Sequence, residues 1–194
     1  GRYPQRAGVP GNAPQGRAES DPAEGLSADQ PTLPSVLSRE GYRCGAFGKW
    51  HLGASERDDP PAHGFDEWFG FLSGCVDYYS HTMVWQQGQG VPPYHDLWED
   101  REEVWHNGEY LTHLVTERAV DFVETTEDSF FAYVAYNAPH YPMHAPAEYF
   151  DRFPGLEGDR RTQAAMVAAL DDGVGELLDA LEARGIADET LVVF

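Results

Sequence analysis

The apolar run from Tyr42 to Phe47, entered from Gly41, has the length and composition of a buried strand, and it delivers the chain into Gly48-Lys49-Trp50-His51-Leu52-Gly53. In a strand successive side chains point to opposite faces, so Lys49 and His51, two apart, project together while Trp50 turns the other way into packing. Before the strand, Thr32 reads as a helix N-cap, with Pro34 in the first turn, Val36-Leu37 as the apolar contact and Gly41 as the stop. Residues 1–31 carry Gly, Pro, Ala and Gln without an apolar period, the pattern of a loop or partly disordered segment.

After the strand, the charged, Pro-rich residues 54–66 predict an exposed connection. Gly64-Phe65-Asp66-Glu67-Trp68-Phe69-Gly70-Phe71 and Asp77-Tyr78-Tyr79-Ser80-His81 form an aromatic stretch punctuated by glycine. Aromatic rings usually enter folds as core area, so this stretch is expected to cover the sheet. Gln86 to Asn107 is polar and predicts a surface excursion, closed by the Asn107-Gly108 turn. Leu111, Val115, Ala119, Phe122 and Val123 recur at helical spacing and predict an amphipathic helix over 112–126. Phe130 to Tyr136 is a second strand, emptying into Asn137-Ala138-Pro139-His140-Tyr141-Pro142, where two prolines stiffen the position of His140. A helix over about 162–184 places Leu170, Val174, Leu177, Leu178 and Leu181 on one face, and Thr190 to Phe194 reads as a further buried strand.

This alternation is that of a layered α/β protein with a mainly parallel sheet, in which ligands sit beyond the carboxyl ends of the strands. Lys49, His51 and His140 all fall there, after two separate strands. Lys49 is the sole lysine, the other twelve cationic side chains being arginine. A compact ammonium beside imidazoles suits an anion, since Lys supplies three donors and His can donate or pass a proton.

Charge narrows the ligand. At a formal net charge of -20 and pI near 4.5, general electrostatics oppose nucleic acid and anionic membranes, so an anion must be held by a few focused cations. No apolar run approaches the roughly 20 residues of a membrane span. The two cysteines, Cys44 and Cys75, match no metal spacing and read as small core residues, and no compartment is assigned. No internal repeat and no phosphate-cradling glycine loop is present.

Gly41-Tyr42-Arg43 leading into Gly48-Lys49-Trp50-His51-Leu52-Gly53 resembles the second signature of the sulfatases, in the alkaline-phosphatase-like superfamily. The likeness extends through Gly64-Phe65-Asp66, Gly74 to Tyr79, Tyr110-Leu111-Thr112, Asn137-Ala138-Pro139-His140 and Leu170 to Gly175, and ends on Thr190 to Phe194. It covers about 32–194, and Gly1-Arg2-Tyr3-Pro4 resembles the end of the first signature.

The resemblance implies an alkaline-phosphatase-like α/β/α fold with a mainly parallel, mixed sheet, incomplete in this chain. It also implies hydrolysis of a small-molecule or carbohydrate sulfate ester at a calcium site. The nucleophile would be a formylglycine, made by a formylglycine-generating or other maturation enzyme. By position Lys49 would bind the sulfate and His51 would contact the nucleophilic group. His140 would touch a sulfate or leaving oxygen and could protonate it; apart from these positional roles, His81 is a candidate for the edge of the substrate pocket. Fixed donors against a transferring anion, a proton for a departing alkoxide and a nucleophile that divides the reaction are each chemically reasonable.

The departures point to a central slice of such a domain, over 32–194. The first signature, Cys or Ser, any residue, Pro or Ala, any residue, Arg, is not in the sequence. Neither Cys44-Gly45-Ala46-Phe47-Gly48 nor Cys75-Val76-Asp77-Tyr78-Tyr79 supplies it. The N-terminal acidic pair and the later Asp-Asn or Asp-His metal ligands of the family are also absent. Asp171-Asp172 does not replace them, because adjacent helical residues do not face each other. His63, His95, His106, His113 and His144 have no family role and are expected in surface or structural positions. The chain alone is expected to bind calcium poorly and to turn over nothing. A phosphodiesterase or phosphonate hydrolase of the same superfamily and a non-catalytic relative are the alternatives. Aryl sulfates, sulfated sugars and choline sulfate all stay open as substrates.

Overall fold

The computed structural model describes residues 3–9, 25–84 and 92–194. The expectations for residues 10–24 and 85–91, and for Gly1-Arg2, lie outside the described residues. Helix α1 (Leu33–Leu37) begins where the sequence places it: Thr32 Oγ1 accepts from Ser35 N while Ser35 Oγ accepts from Thr32 N. A 3-10 turn over Ser38–Glu40 extends it to Gly41, which takes the left-handed conformation that ends helices. Strand β1 (Arg43–Lys49) follows.

A five-stranded sheet is built around β1. It pairs in parallel with β2 (Glu67–Phe71) on one side and β7 (Phe130–Ala135) on the other. The short strands β5 (Trp98–Glu99) and β6 (Glu102–Glu103) add antiparallel beyond β2, giving the order β6-β5-β2-β1-β7. A separate two-stranded ladder joins β3 (Thr82–Met83) to β4 (Tyr94–His95). Because β1, β2 and β7 run parallel, their carboxyl ends share one edge of the sheet. Lys49, the Leu72–Cys75 turn and the Asn137–His140 loop therefore emerge side by side.

Strand alternation sorts the core onto two faces. Phe47, Phe69 and Phe71 meet helix α2 (Leu111–Thr125), which buries Leu111, Val115, Ala119 and Phe122 of the predicted apolar stripe, with Leu114 beside them. Cys44, Ala46 and Trp68 face the other way, against Trp50, Phe65 and Leu72, with Leu37 of α1 packed alongside. The aromatic stretch is cover, as expected: Trp68, Phe69, Phe71 and Tyr78 are all fully buried. Both cysteines are free and buried.

Helix α4 (Gly158–Ala183), which follows the short α3 (Ala147–Phe150), starts earlier than the sequence predicts; of the predicted face, Leu181 is buried and Leu170 and Leu177 pack against the core. Its contact with α2 uses Ala165, Met166, Ala169 and Gly173, while Leu178 is exposed. Small residues win because the helices approach closely. A Cβ on Gly173 would lie 2.3 Å from Thr116 Oγ1. Asp172 on this helix holds Arg152 through both carboxylate oxygens, an exposed ion pair and not a ligand set.

Two further expectations are corrected. Residues 54–66 are not an exposed connection, since Ala54, Asp58, Asp59, Pro60, His63 and Phe65 are buried. Their polarity is spent internally: Arg101 grips Asp59 from 2.9 Å, and Trp50 Nε1 donates to Asp58 O at 2.6 Å. Thr190–Phe194 forms no ladder, and Leu191, Val193 and Phe194 are exposed. An apolar β-branched run becomes a strand only beside a partner, and none flanks it among the described residues.

Candidate active site

Lys49 closes β1, with its ammonium close to the buried Cys75. The sequence expectation that alternation brings Lys49 and His51 together is right in outcome and wrong in cause. The strand stops at Lys49, and His51 adopts a left-handed conformation (φ 55°), uncommon for a non-glycine residue. Backbone bonds to the next strand's exit hold this turn, with Trp50 N donating to Phe71 O at 2.9 Å and His51 N to Leu72 O at 3.1 Å. The imidazole then lies flat over Gly74. A Cβ there would sit 2.9 Å from His51 Cε1, so only glycine leaves the ring its place.

His140 approaches from β7. Asn137 Nδ2 donates to Val76 O at 2.9 Å, which ties the root of its loop to the chain after β2. His140 Nδ1 lies 2.8 Å from Tyr141 O, and since a carbonyl only accepts, Nδ1 carries the proton and Nε2 is the nitrogen left for a ligand. His140 is exposed, whereas Lys49 and His51 are half-buried.

The three predicted residues form one electrostatic unit. Burial pushes His51 below the ordinary histidine range, and the nearby Lys49 and His140 charges push it further. At neutral pH His51 is therefore a neutral imidazole, and its Nε2 is buried with no hydrogen-bond partner. Burial likewise lowers the Lys49 ammonium, while Cys75 close by opposes that shift. The Cys75 thiol is raised by burial and so is no ready thiolate nucleophile. A recessed cation, a buried unpartnered imidazole nitrogen and an exposed imidazole on one sheet edge are equipped to hold a small tetrahedral anion and to exchange a proton with it.

His81 does not belong to this group. The structure buries it completely, with Nε2 3.2 Å from Glu109 O and Nδ1 unpartnered, instead of setting it at a pocket edge. The reason is backbone: His81 N donates to Asp77 O and Asp96 N donates to His81 O, which folds the lobe of residues 77–84 and 92–109 around the ring. Burial, opposed by the bond to Glu109 and reinforced by His95 and His106, pushes His81 down to about 4 from 6.5. The unfolded chain therefore binds a proton on this side chain that the folded chain refuses. Stability is full above pH 6.5 and falls as pH drops toward 4, by about 3 kcal/mol in total from this residue. Urea unfolding at pH 7 and pH 5 is expected to show His81→Gln losing less stability on acidification than the parent, by on the order of 2 kcal/mol. Equal losses in the two proteins would rule out His81 as the source.

The remaining histidines are structural or at the surface. His63 is buried, His95 stacks on Trp105 with centroids 3.7 Å apart, and His106 pairs with Glu109. His113 meets Tyr149 OH, and His144 Nδ1 lies 3.2 Å from Asp77 Oδ2.

Several contributors to the site were missed from sequence. Asp96 is fully buried, and its carboxylate accepts from Leu72 N, Ser73 N and Trp98 Nε1 at 2.7–3.2 Å, which fixes the turn leading into Gly74. Nothing in its neighbours, His95 and Leu97, marks that role. Tyr78 and Tyr110 bond the loop of His140. Tyr110 had a signal: it occupies an N-cap, where Ser, Thr, Asp or Asn is the rule.

The family model of the sulfatases matches residues 1–194. The chain belongs to the sulfatase family. It is similar to mouse arylsulfatase J, at 36% identity over 87% of this chain and 29% of that protein. It is also similar to mouse N-acetylgalactosamine-6-sulfatase, at 32% identity over all of this chain and 38% of that protein. This sulfatase chain thus spans little more than a third, or less, of the length of those curated relatives. Among solved structures, that of Ps i-CgsB in complex with k-i-k-neocarrahexaose superposes with a TM-score of 0.81 at 34% identity, over 95% of this chain and 42% of the other. The mixed, mainly parallel sheet with flanking helices is the alkaline-phosphatase-like fold of these sulfatases. No helix among the described residues is long and apolar enough to cross a membrane.

Proposed function

We propose that Lys49, His51 and His140 form the sulfate-holding part of a sulfuric ester hydrolase site, and that the ester is carried by a carbohydrate. The observation that carries the reading is the convergence of these three side chains at one sheet edge, with Lys49 and His140 acting directly on His51. Lys49 supplies the fixed positive charge for the sulfuryl oxygens. His51 offers its unpartnered Nε2 to the attacking group or to the anion. His140, when charged, holds a proton on Nε2 that can pass to the departing alkoxide. The carbohydrate rests on the relatives: one is named for N-acetylgalactosamine and another is bound to a neocarrahexaose.

Calcium is the metal this reading implies for the family reaction. Among the described residues no group of three or more His, Cys, Asp or Glu side chains is placed to hold a metal ion, so no step here is assigned to one. The sequence likewise carries no Cys/Ser-x-Pro/Ala-x-Arg signature for a maturation enzyme to act on.

Inorganic sulfate added to the 194-residue protein at pH 7 is expected to move the NMR signals of the Lys49 side chain and the His51 and His140 rings together, saturably, and to leave His106 and His113 in place. Sulfate that moves none of the three, or that moves all eight histidines alike, would remove the basis of the proposal.

A further inference from the structure

Two buried tyrosines stand under the loop that presents His140. Tyr78 is wholly inaccessible and Tyr110 is 4% exposed. Their rings stack, with centroids 5.4 Å apart and planes inclined by 23°. Tyr78 OH donates to His140 O at 3.0 Å, and Tyr110 OH donates to His144 O at 2.9 Å. A carbonyl oxygen only accepts, so both phenols must be protonated for the arrangement to exist. Burial keeps them so, raising Tyr78 well above the ordinary tyrosine range and Tyr110 to about 12.

The footing of the pair is itself fixed. Tyr110 caps α2, and the first helical amide, Leu111 N, donates to Tyr78 O at 2.8 Å, so both rings are keyed to the end of one helix. Between the two bonded carbonyls lie only Tyr141, Pro142 and Met143. With Asn137 anchored to Val76 O, the loop is held at three points around His140. The proton on His140 Nδ1 is donated to Tyr141 O, inside the clamped segment. The direction of Nε2 is thus tied to the backbone that the tyrosines hold.

We propose that Tyr78 and Tyr110 are positioning residues: a stacked pair of phenol donors that clamps the His140–His144 segment and aims His140 Nε2 at the anion held by Lys49. The inference rests on the reading of Lys49, His51 and His140 as a sulfate site, but the geometry of the clamp stands apart from it. Phenylalanine is the suitable replacement at either position, since it keeps the ring stack and removes only the hydroxyl.

The test compares the 194-residue protein with Tyr78→Phe, Tyr110→Phe and each combined with His140→Ala, using His ring NMR and titration with inorganic sulfate. Expected in Tyr78→Phe are a displaced or broadened His140 ring signal, an unmoved His106 signal and about fivefold weaker sulfate binding, the size of one lost hydrogen bond. In the His140→Ala background, Tyr78→Phe is expected to add no further loss, because its effect passes through His140. Should Tyr78→Phe fail to fold, Tyr110→Phe gives the same readouts from the His144 end. An unmoved His140 ring in the folded variants, or a loss in affinity that persists without His140, would overturn the clamp. If His140 responds to the hydroxyls while the parent binds no sulfate, the clamp stands and the sulfate reading falls.

Discussion

Gly48→Ala is expected to cost about 4 kcal/mol of stability, enough to leave much of the chain unfolded at 37 °C. Gly48 has φ 106°, in the left-handed half of the map, and sits in the middle strand between Gly70 on β2 and Ala135 on β7. A Cβ at this position would lie 2.1 Å from Ala135 O, an overlap with backbone that no rotamer can relieve. The ladder between β1 and β7 must open, and that ladder joins the strand of Lys49 to the strand of His140. Gly41→Ala is the control: its φ is 86°, but nothing lies within 4 Å of the added methyl, so it carries conformational strain alone, about 1 kcal/mol. Urea unfolding of the two variants separates the terms. Equal losses would mean that the approach to Ala135 O is looser than the structure has it.

Lys49→Ala is expected to weaken binding of inorganic sulfate by about 10- to 100-fold, the range of a charge-assisted hydrogen bond to a recessed anion. No other lysine exists to substitute, and the overall charge of -20 opposes the ligand everywhere else. Lys49→Arg should recover little of the loss, because a planar fork does not fit where a compact ammonium sits beside buried Cys75. Isothermal titration at low and moderate salt measures this. The parent's affinity should fall only modestly with salt if the pair is recessed as described. An Arg variant that binds as well as the parent would show that Lys49 contributes bulk charge and no geometry.

How far the sequence carries is seen at Lys49 itself. An apolar run that ends in a polar string is visible in one dimension, and so is the placement of Lys49 and His140 beyond strand ends, because burial writes itself as periodicity. What cannot be read is how a turn is held. The left-handed backbone of His51 depends on Leu72 O, and the bed of its ring depends on Gly74, both more than twenty residues away. Buried charge is equally silent. Asp59 looks like a surface residue until Arg101 reaches it from outside, and Asp96 looks like any polar loop residue until three donors converge on it. Helix α4 is half legible: Leu170, Leu177 and Leu181 pack as their spacing predicts, while the alanines and Gly173 that make the close approach carry no such mark.

The antiparallel ribbon β5–β6, attached to the far side of β2, and the separate β3–β4 ladder give the lobe of residues 77–84 and 92–109 hydrogen bonding of its own. The three parallel strand ends that carry the proposed anion grip belong to the same five-stranded sheet, in which a shift of β1 by a single residue would reverse the faces of its side chains. The two are nevertheless tied together, because Asp96 accepts from Leu72 N and Ser73 N at the turn into Gly74, and Tyr78 OH donates to His140 O. A substitution at Asp96 or Tyr78 would therefore be felt at the proposed grip, whereas an exposed position of the same lobe, such as Glu102, can change without reaching it.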